Sequence, residues 1–84
     1  MFEKLKQLSE LKKLQDSFKK EIMTVEKQGV TITMNGNFEV EEVKINPELN
    51  AQDQEYALKE AFNEVRENIQ KVLAQKMMAS GMGL

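Results

Sequence analysis

The chain has 84 residues, and its 12 basic and 14 acidic side chains give a formal net charge of −2 at pH 7. It contains no cysteine and no histidine. Their absence excludes disulfides and leaves no ligands for a structural zinc site, and it removes the commonest covalent nucleophile and the commonest general base of enzymes. The acidic net charge argues against a protein that coats nucleic acid through bulk positive charge.

These limits predict a small protein that is not an enzyme, with a single domain over residues 1–84, no cofactor and no small-molecule substrate. A chain of this length buries only about 60% of the surface that its unfolded form exposes, so we expect a homodimer to complete the core. The N-terminal residues MFEKLKQL lack a secretory core and no apolar run reaches transmembrane length. We therefore expect a cytoplasmic protein with no membrane partner.

The first predicted element is a helix over residues 2–22. Its apolar residues recur at spacings of three and four, and they are Phe2, Leu5, Leu8, Leu11, Leu14, Phe18 and Ile22. Before Leu11 the spacing is always three, so the apolar line winds around the helix axis. We expect these first turns to project beyond the body of the domain or to pack on different neighbours.

A small antiparallel sheet is predicted next. The segment Met23–Glu26 carries β-branched residues, so it is either the end of the helix or a first strand, and we favour the strand. Val30, Ile32 and Met34 alternate with polar residues in a second strand that ends at Asn35. Asn35-Gly36 then predicts a two-residue hairpin turn with positive φ at both positions.

The third predicted strand runs from Phe38 to Ile45, and its apolar phase changes along its length. Phe38 and Val40 share one phase, whereas Val43 and Ile45 share the other. A bulge at Glu41-Glu42 would produce this change and would bend the strand. Two glutamates at this place are also the ordinary protection of a sheet edge.

A second helix is predicted from Ala51 to about Met78, with Asn50 as its N-cap and Asp53 as the capping carboxylate. Such a helix is about 42 Å long, so its apolar stripe overhangs a three-stranded sheet only about 14 Å wide. We expect a second copy of the chain to cover the excess. The expected dimer interface is Leu58, Phe62, Val65, Ile69, Val72 and Leu73. Residues 79–84 have no pattern and are expected to form a flexible tail.

Four lysines recur at intervals of seven in the first part of the chain, at positions 6, 13, 20 and 27, with Lys12 and Lys19 beside them. On a helix they form a row with a spacing of about 10 Å, which suits a phosphate backbone. If residue 27 lies in a strand, the row ends at Lys20. The row is also explained as a solvated face stabilised by pairs with Glu10 and Asp16.

The segment VTITMNGNFEVEEVKINPEL, followed by ALKEAFNEVRENI and QKMMASGMG, resembles the YbaB/EbfC family of bacterial nucleoid-associated proteins. The features that carry the resemblance are Asn35-Gly36, Ile45-Asn46-Pro47-Glu48-Leu49 and Ala61-Phe62-Asn63-Glu64. The resemblance implies an α+β fold of a long helix, a three-stranded antiparallel sheet and a second long helix, in an intertwined homodimer with projecting helical arms. It also implies binding of double-stranded DNA in the bacterial cytoplasm, with roles in nucleoid organisation and gene regulation.

This chain departs from the family pattern at three places. It has Asn46 where family members often have Asp, a shorter turn before Val30 and a shorter tail. The shorter turn weakens the prediction of the first strand. Because the tail is shorter, a role of the family's tail is not carried over to this chain.

The leading hypothesis is therefore a homodimer that binds duplex DNA through its backbone phosphates. The expected contacts, which rest on helix geometry because the family has no motif for them, are Lys6, Lys12, Lys13, Lys19 and Lys20, with Lys71 and Lys76 added at the arm tips. The alternative is a dimeric protein–protein interaction module with no direct DNA binding. The winding line of Phe2, Leu5 and Leu8 and the acidic net charge favour that alternative.

Overall fold

The computed structural model describes the backbone of residues 2–79 and the side chains of residues 8–78. Its elements, in chain order, are α1 (Phe2–Lys19), β1 (Ile22–Lys27), β2 (Val30–Asn35), β3 (Val40–Lys44) and α2 (Ala51–Ala79). The strands form one antiparallel sheet in the order β1-β2-β3. The predicted α+β fold is confirmed. Of the expected tail over residues 79–84, Ala79 is the last residue of α2, and residues 80–84 lie outside the described residues.

The first helix is shorter than predicted. It ends at Lys19, and Ile22 is the first residue of β1, half exposed rather than part of a helical apolar stripe. The prediction of a helix to Ile22 is therefore wrong, and the favoured first strand is confirmed. The β-branched residues Ile22, Thr24 and Val25 suit an extended backbone, and pairing with β2 decides the outcome.

The tight turn with positive φ lies between β1 and β2. Gln28 has φ of 53° and Gly29 has φ of 85°, and they join the paired residues Lys27 and Val30. This is the backbone that the sequence predicted for Asn35-Gly36. The Nδ2 of Asn46 donates a hydrogen bond of 2.7 Å to the carbonyl of Gln28, which ties this turn to the loop before α2. Asn46 can make this bond because, unlike Asp, it has an amide donor.

The turn between β2 and β3 is longer than predicted, and this corrects the hairpin assignment. The amide of Phe38 donates to the carbonyl of Asn35 at 3.0 Å, and Phe38, with φ of 61°, takes the left-handed conformation. The turn needs a glycine at position 36 because there is no space for a side chain, and not because φ is positive. A Cβ at Gly36 would lie 2.2 Å from the carbonyl oxygen of Phe18, at the end of α1.

The predicted bulge in β3 is confirmed. Met34 pairs with Val40 and Thr33 pairs with Glu42, so Glu41 has no partner in β2. Asn35, which is 1% exposed, donates through Nδ2 to Glu39 at 3.1 Å and to Glu41 at 3.0 Å. Both carboxylates thus accept hydrogen bonds from a buried amide. The acidic residues therefore stabilise the turn, in addition to protecting the edge of the sheet.

The hydrophobic core lies between α2 and two of the three strands. Sheet residues Val25, Ile32 and Met34 pack against α2, and each is 6% exposed or less. The α2 side of this core consists of Ala61, Val65 and Ile69. All five residues of β3 are exposed, so the helix leaves that strand uncovered.

The N-terminus of α2 has the predicted cap. The amide of Asp53 donates to Oδ1 of Asn50 at 2.7 Å, and Nδ2 of Asn50 donates back to the Asp53 carboxylate at 3.1 Å. This satisfies one of the amide donors that the first turn of a helix leaves free. Neither helix, over the described backbone, is long and apolar enough to span a membrane.

We predict that Gly36→Ala lowers the free energy of unfolding by about 1–3 kcal/mol, because its Cβ would displace the backbone of α1. Urea unfolding followed by circular dichroism measures the difference. Asn37→Ala is the control, because it removes only one hydrogen bond to α1 and should cost less. A Gly36→Ala protein as stable as the wild type would contradict the close approach.

Candidate nucleic-acid interface

Four exposed lysines at the C-terminal half of α1 form what we name the lysine surface, and they are Lys12, Lys13, Lys19 and Lys20. Lys20 lies in the turn directly after the helix. Residues seven apart on a helix lie on the same side, about 10 Å apart along the axis. Lys12 and Lys19 therefore form one row, and Lys13 begins a second row towards Lys20. Lys6 lies on the same helix, but its side chain is outside the described set.

None of the ion pairs among the described side chains involves the lysine surface. Those pairs join Lys27 to Glu64 at 3.1 Å, Lys44 to Glu42 at 3.3 Å and Lys76 to Glu21 at 3.0 Å. The pairs with Glu10 and Asp16 that would explain the lysines as a self-sufficient helix face are not formed in residues 8–78. The ammonium groups of the lysine surface are therefore available to an external anion.

The row of lysines ends before β1. Lys27 lies in that strand and pairs with Glu64 of α2, so it does not continue the helical row. The row therefore ends at Lys20, as expected for the case in which residue 27 lies in a strand. Of the two lysines expected at the arm tips, Lys71 is exposed on α2, whereas Lys76 is engaged within the protomer.

Lys76 joins the C-terminal parts of the two helices. Its Nζ donates to Oγ of Ser17 at 2.8 Å and to the carboxylate of Glu21 at 3.0 Å, and lies 6.0 Å from the centre of the Phe18 ring. Sequence reasoning missed this interaction because its partners are 55 and 59 residues away along the chain. Helical spacing reports only on neighbours three and four residues apart.

The turn between β2 and β3 also contacts this end of α1. The amide of Gly36 donates to the carbonyl of Phe18 at 2.9 Å, and Nδ2 of Asn37 donates to the carbonyl of Gln15 at 3.2 Å. The last four carbonyls of a helix have no donor within the helix, and the bond from Gly36 supplies a partner for the one at Phe18. The bond from Asn37 adds a second contact, to the carbonyl of Gln15 one turn earlier. The lysine surface is thus carried by a helix that is anchored at its C-terminal end.

The expected dimer residues of α2 fall into two groups. Val65 and Ile69 are 0% exposed within one protomer, where they contact the sheet. Leu58, Val72 and Leu73 are half-buried, whereas Phe62 is 41% exposed. The centre of the stripe is therefore covered intramolecularly, and Phe62 at its side is the member with the most surface left to cover.

A second apolar surface was missed in the sequence and lies on β3. Val43 pairs with Ile32 and Val40 pairs with Met34, so both valines lie on the face of the sheet that carries the core. They are 47% and 41% exposed because α2 does not extend over them. We name Val40 and Val43 the β3 surface. The change of phase along the strand contained this signal, because a bulge brings both valines to one face. The position of α2 over β1 and β2 could not be read from it.

The charge of the described residues is unevenly distributed between the helices. Residues 8–20 carry four lysines and two acids, whereas residues 50–70 carry two basic and five acidic side chains. In the acidic part, the Tyr56 hydroxyl is hydrogen-bonded to Glu60, and this bond together with the negative charge of Glu60 raises the pKa of Tyr56. An anion is therefore attracted by α1 and repelled by the first two-thirds of α2.

A comparison with protein families finds one whose described property is DNA binding. The family model described as the YbaB/EbfC DNA-binding family matches residues 1–84, the whole length of the sequence. No match was found among curated proteins or among solved structures. The family comparison agrees with the resemblance that the sequence motifs indicated.

Proposed function

The chain belongs to the YbaB/EbfC DNA-binding family of nucleoid-associated proteins, which is not an enzyme family, and from this we propose that it binds duplex DNA as a homodimer. The contacts are made mainly to backbone phosphates. Binding takes place on the nucleoid in the bacterial cytoplasm and contributes to nucleoid organisation and gene regulation. The observation that carries the proposal is the family match over the whole chain.

The lysine surface supports phosphate contact as the mode of binding. Lysine acts on phosphate as a point charge and distinguishes bases poorly, so a surface of this composition favours binding that tolerates many sequences. Three of its members lie on one anchored helix and the fourth, Lys20, lies in the turn directly after it; all four are outside every ion pair of the described side chains. In a dimer, two such helices would present their lysines to the two sides of one duplex.

The β3 surface and Phe62 support the homodimer. They expose apolar side chains beside the core of a chain that is short, and short chains bury a smaller fraction of their surface than long ones. Val40 and Val43 share a face of the sheet with the core, so an apolar element of a second copy placed over β3 would extend that core. A partner that covers this surface removes apolar area from water at about 25 cal/mol per Å².

We predict weak binding that depends steeply on salt. If about four to eight phosphates are bound per dimer, log K falls with log salt with a slope of about −4 to −7. Between 50 and 200 mM salt the affinity then falls by about 10² to 10⁴-fold. A fluorescence anisotropy titration with a labelled duplex at several salt concentrations measures the slope. A flat response would contradict phosphate contact as the source of affinity.

We predict that the double variant Lys13→Glu and Lys20→Glu abolishes duplex binding while the protein remains a dimer. The matched control is Lys44→Glu with Lys59→Glu, which makes the same change of net charge away from α1 and should lower affinity by less than about tenfold. Equal reductions in the two proteins would show that only bulk charge matters. Unchanged binding in the α1 variant would contradict the lysine surface as the DNA contact, whereas a wild type that binds no duplex would favour the protein–protein interaction module.

We predict that Val43→Glu breaks the dimer. In a symmetric dimer it places like charges within the apolar interface, which is expected to raise the dissociation constant by roughly a hundredfold or more. Lys44→Glu is the control, because Lys44 is the next residue of β3 and lies on the opposite face. Sedimentation at micromolar concentration measures both. A folded Val43→Glu dimer would exclude the β3 surface as the interface.

A further inference from the structure

Lys76 differs from the lysines of the lysine surface because it already interacts with residues at the end of α1. Its ammonium group is held by Ser17 and Glu21 at hydrogen-bond distance, and its side chain is 36% exposed. A lysine that binds phosphate needs an ammonium group that can turn towards solvent. Here the charge is already opposed by Glu21, so a phosphate would have to displace a formed ion pair.

The place of this interaction is the anchored end of α1. Ser17 lies in the last turn of the helix, and Glu21 precedes β1. A cation beside the C-terminus of a helix is stabilised by the negative end of the helix dipole. The β2–β3 turn reaches this end through Gly36 and Asn37, and Lys76 reaches it from α2. Two different elements therefore fix the direction in which α1 leaves the body of the protein.

A small rotation at this end has a large effect on the rest of the helix. α1 has 18 residues and is about 27 Å long. A rotation of about 10° about its C-terminal end moves its other end by about 5 Å. Lys12 and Lys13, which lie about 10 Å from the pivot, move by about 2 Å, which is enough to break a hydrogen bond to a phosphate. A helix that is free to rotate in this way must be ordered when its lysines meet the phosphates, and this costs binding free energy.

We propose that Lys76 is a positioning residue that fixes the direction of α1, and that it does not bind DNA itself. The inference rests on the proposed function for its consequence, which is that Lys76 raises duplex affinity through the lysine surface. It replaces the expectation that Lys76 binds DNA at the tip of an arm. Glu21 and Ser17 act with it as the partners that hold its ammonium group.

The salt dependence of binding separates a positioning residue from a lysine that binds phosphate. Lys76→Gln and Lys13→Gln remove the same charge, and both should weaken binding. For Lys13→Gln the slope of log K against log salt becomes shallower by about one for each phosphate that the variant can no longer bind. For Lys76→Gln we expect affinity to fall about three- to tenfold with the slope unchanged, because every phosphate is still bound. Lys76→Arg should restore affinity, since a guanidinium can donate to Ser17 and Glu21 together.

Two substitutions that each remove one negative charge should change duplex affinity in opposite directions. Asp16→Ala removes an acid that lies among the lysines and is outside every ion pair of the described side chains. It should therefore tighten duplex binding. Glu21→Ala removes the same charge and also releases Lys76, so we expect it to weaken binding. Tighter binding in both variants would overturn the positioning role.

A distance measurement without DNA tests the geometry directly. Because the chain has no native cysteine, spin labels can be attached at Ser9→Cys in α1 and Glu55→Cys in α2. Dilution of the labelled chain with excess unlabelled protein restricts the signal to one protomer. Pulsed electron paramagnetic resonance should give a broader distance distribution for Lys76→Gln than for the wild type. Lys71→Gln, a charge-matched change on the same helix, should leave the distribution unchanged.

The outcomes distinguish this inference from the proposed function. A distribution that Lys76→Gln leaves unchanged, or a salt slope that it makes shallower as Lys13→Gln does, overturns the inference while DNA binding stands. If the wild type binds no duplex, the proposed function fails. In that case a broader distribution for Lys76→Gln still supports the role of Lys76 in fixing α1.

Discussion

The placement of the lysine surface depends on how the last carbonyls of α1 are satisfied. A helix that ended in solvent would bond these carbonyls to water and would leave its direction free. Here the amide of Gly36 bonds the carbonyl of Phe18, and the side chain of Asn37 bonds that of Gln15, so a turn of the sheet holds the end of the helix. The absence of a side chain at Gly36 permits the 2.9 Å bond, because a Cβ would meet the Phe18 carbonyl first. The turn therefore connects the sheet to the surface that carries positive charge.

The small size of the chain also explains why apolar surface is left exposed. One long helix covers two strands, and the core it makes includes Val65 and Ile69 at full burial. The third strand extends the apolar face through Val40 and Val43 without any helix above it. In a chain of 84 residues no further element is available among those described to cover that strand. A homodimer would solve this problem by supplying the missing layer from a second copy.

Local patterns in the sequence predicted the elements, and interactions between distant residues decided the details. Alternation in β2, the Asn50 cap of α2 and the bulge at Glu41 are signals within a few residues, and all three were predicted. Asn35-Gly36 was interpreted as a tight turn because local statistics favour it, but the glycine is required by Phe18, which is far away in sequence. The engagement of Lys76 was missed for the same reason. Spacing identifies a helix face, but it does not show which neighbour that face meets.

A net negative charge is compatible with binding to a polyanion when the charges are separated on the molecule. At physiological ionic strength, charges further apart than about 8 Å are largely screened in solvent. A phosphate beside the lysine surface therefore responds mainly to Lys12, Lys13, Lys19 and Lys20, and only weakly to the acids of α2. Salt also screens the repulsion between DNA phosphates and the distant acids of α2, but this screening releases no counterions from the DNA. Each phosphate that a lysine binds does release counterions. In the proposed mode of binding, added salt would therefore weaken binding more than it relieves repulsion. The local arrangement of charge on α1, rather than the net charge of the chain, would then set the affinity.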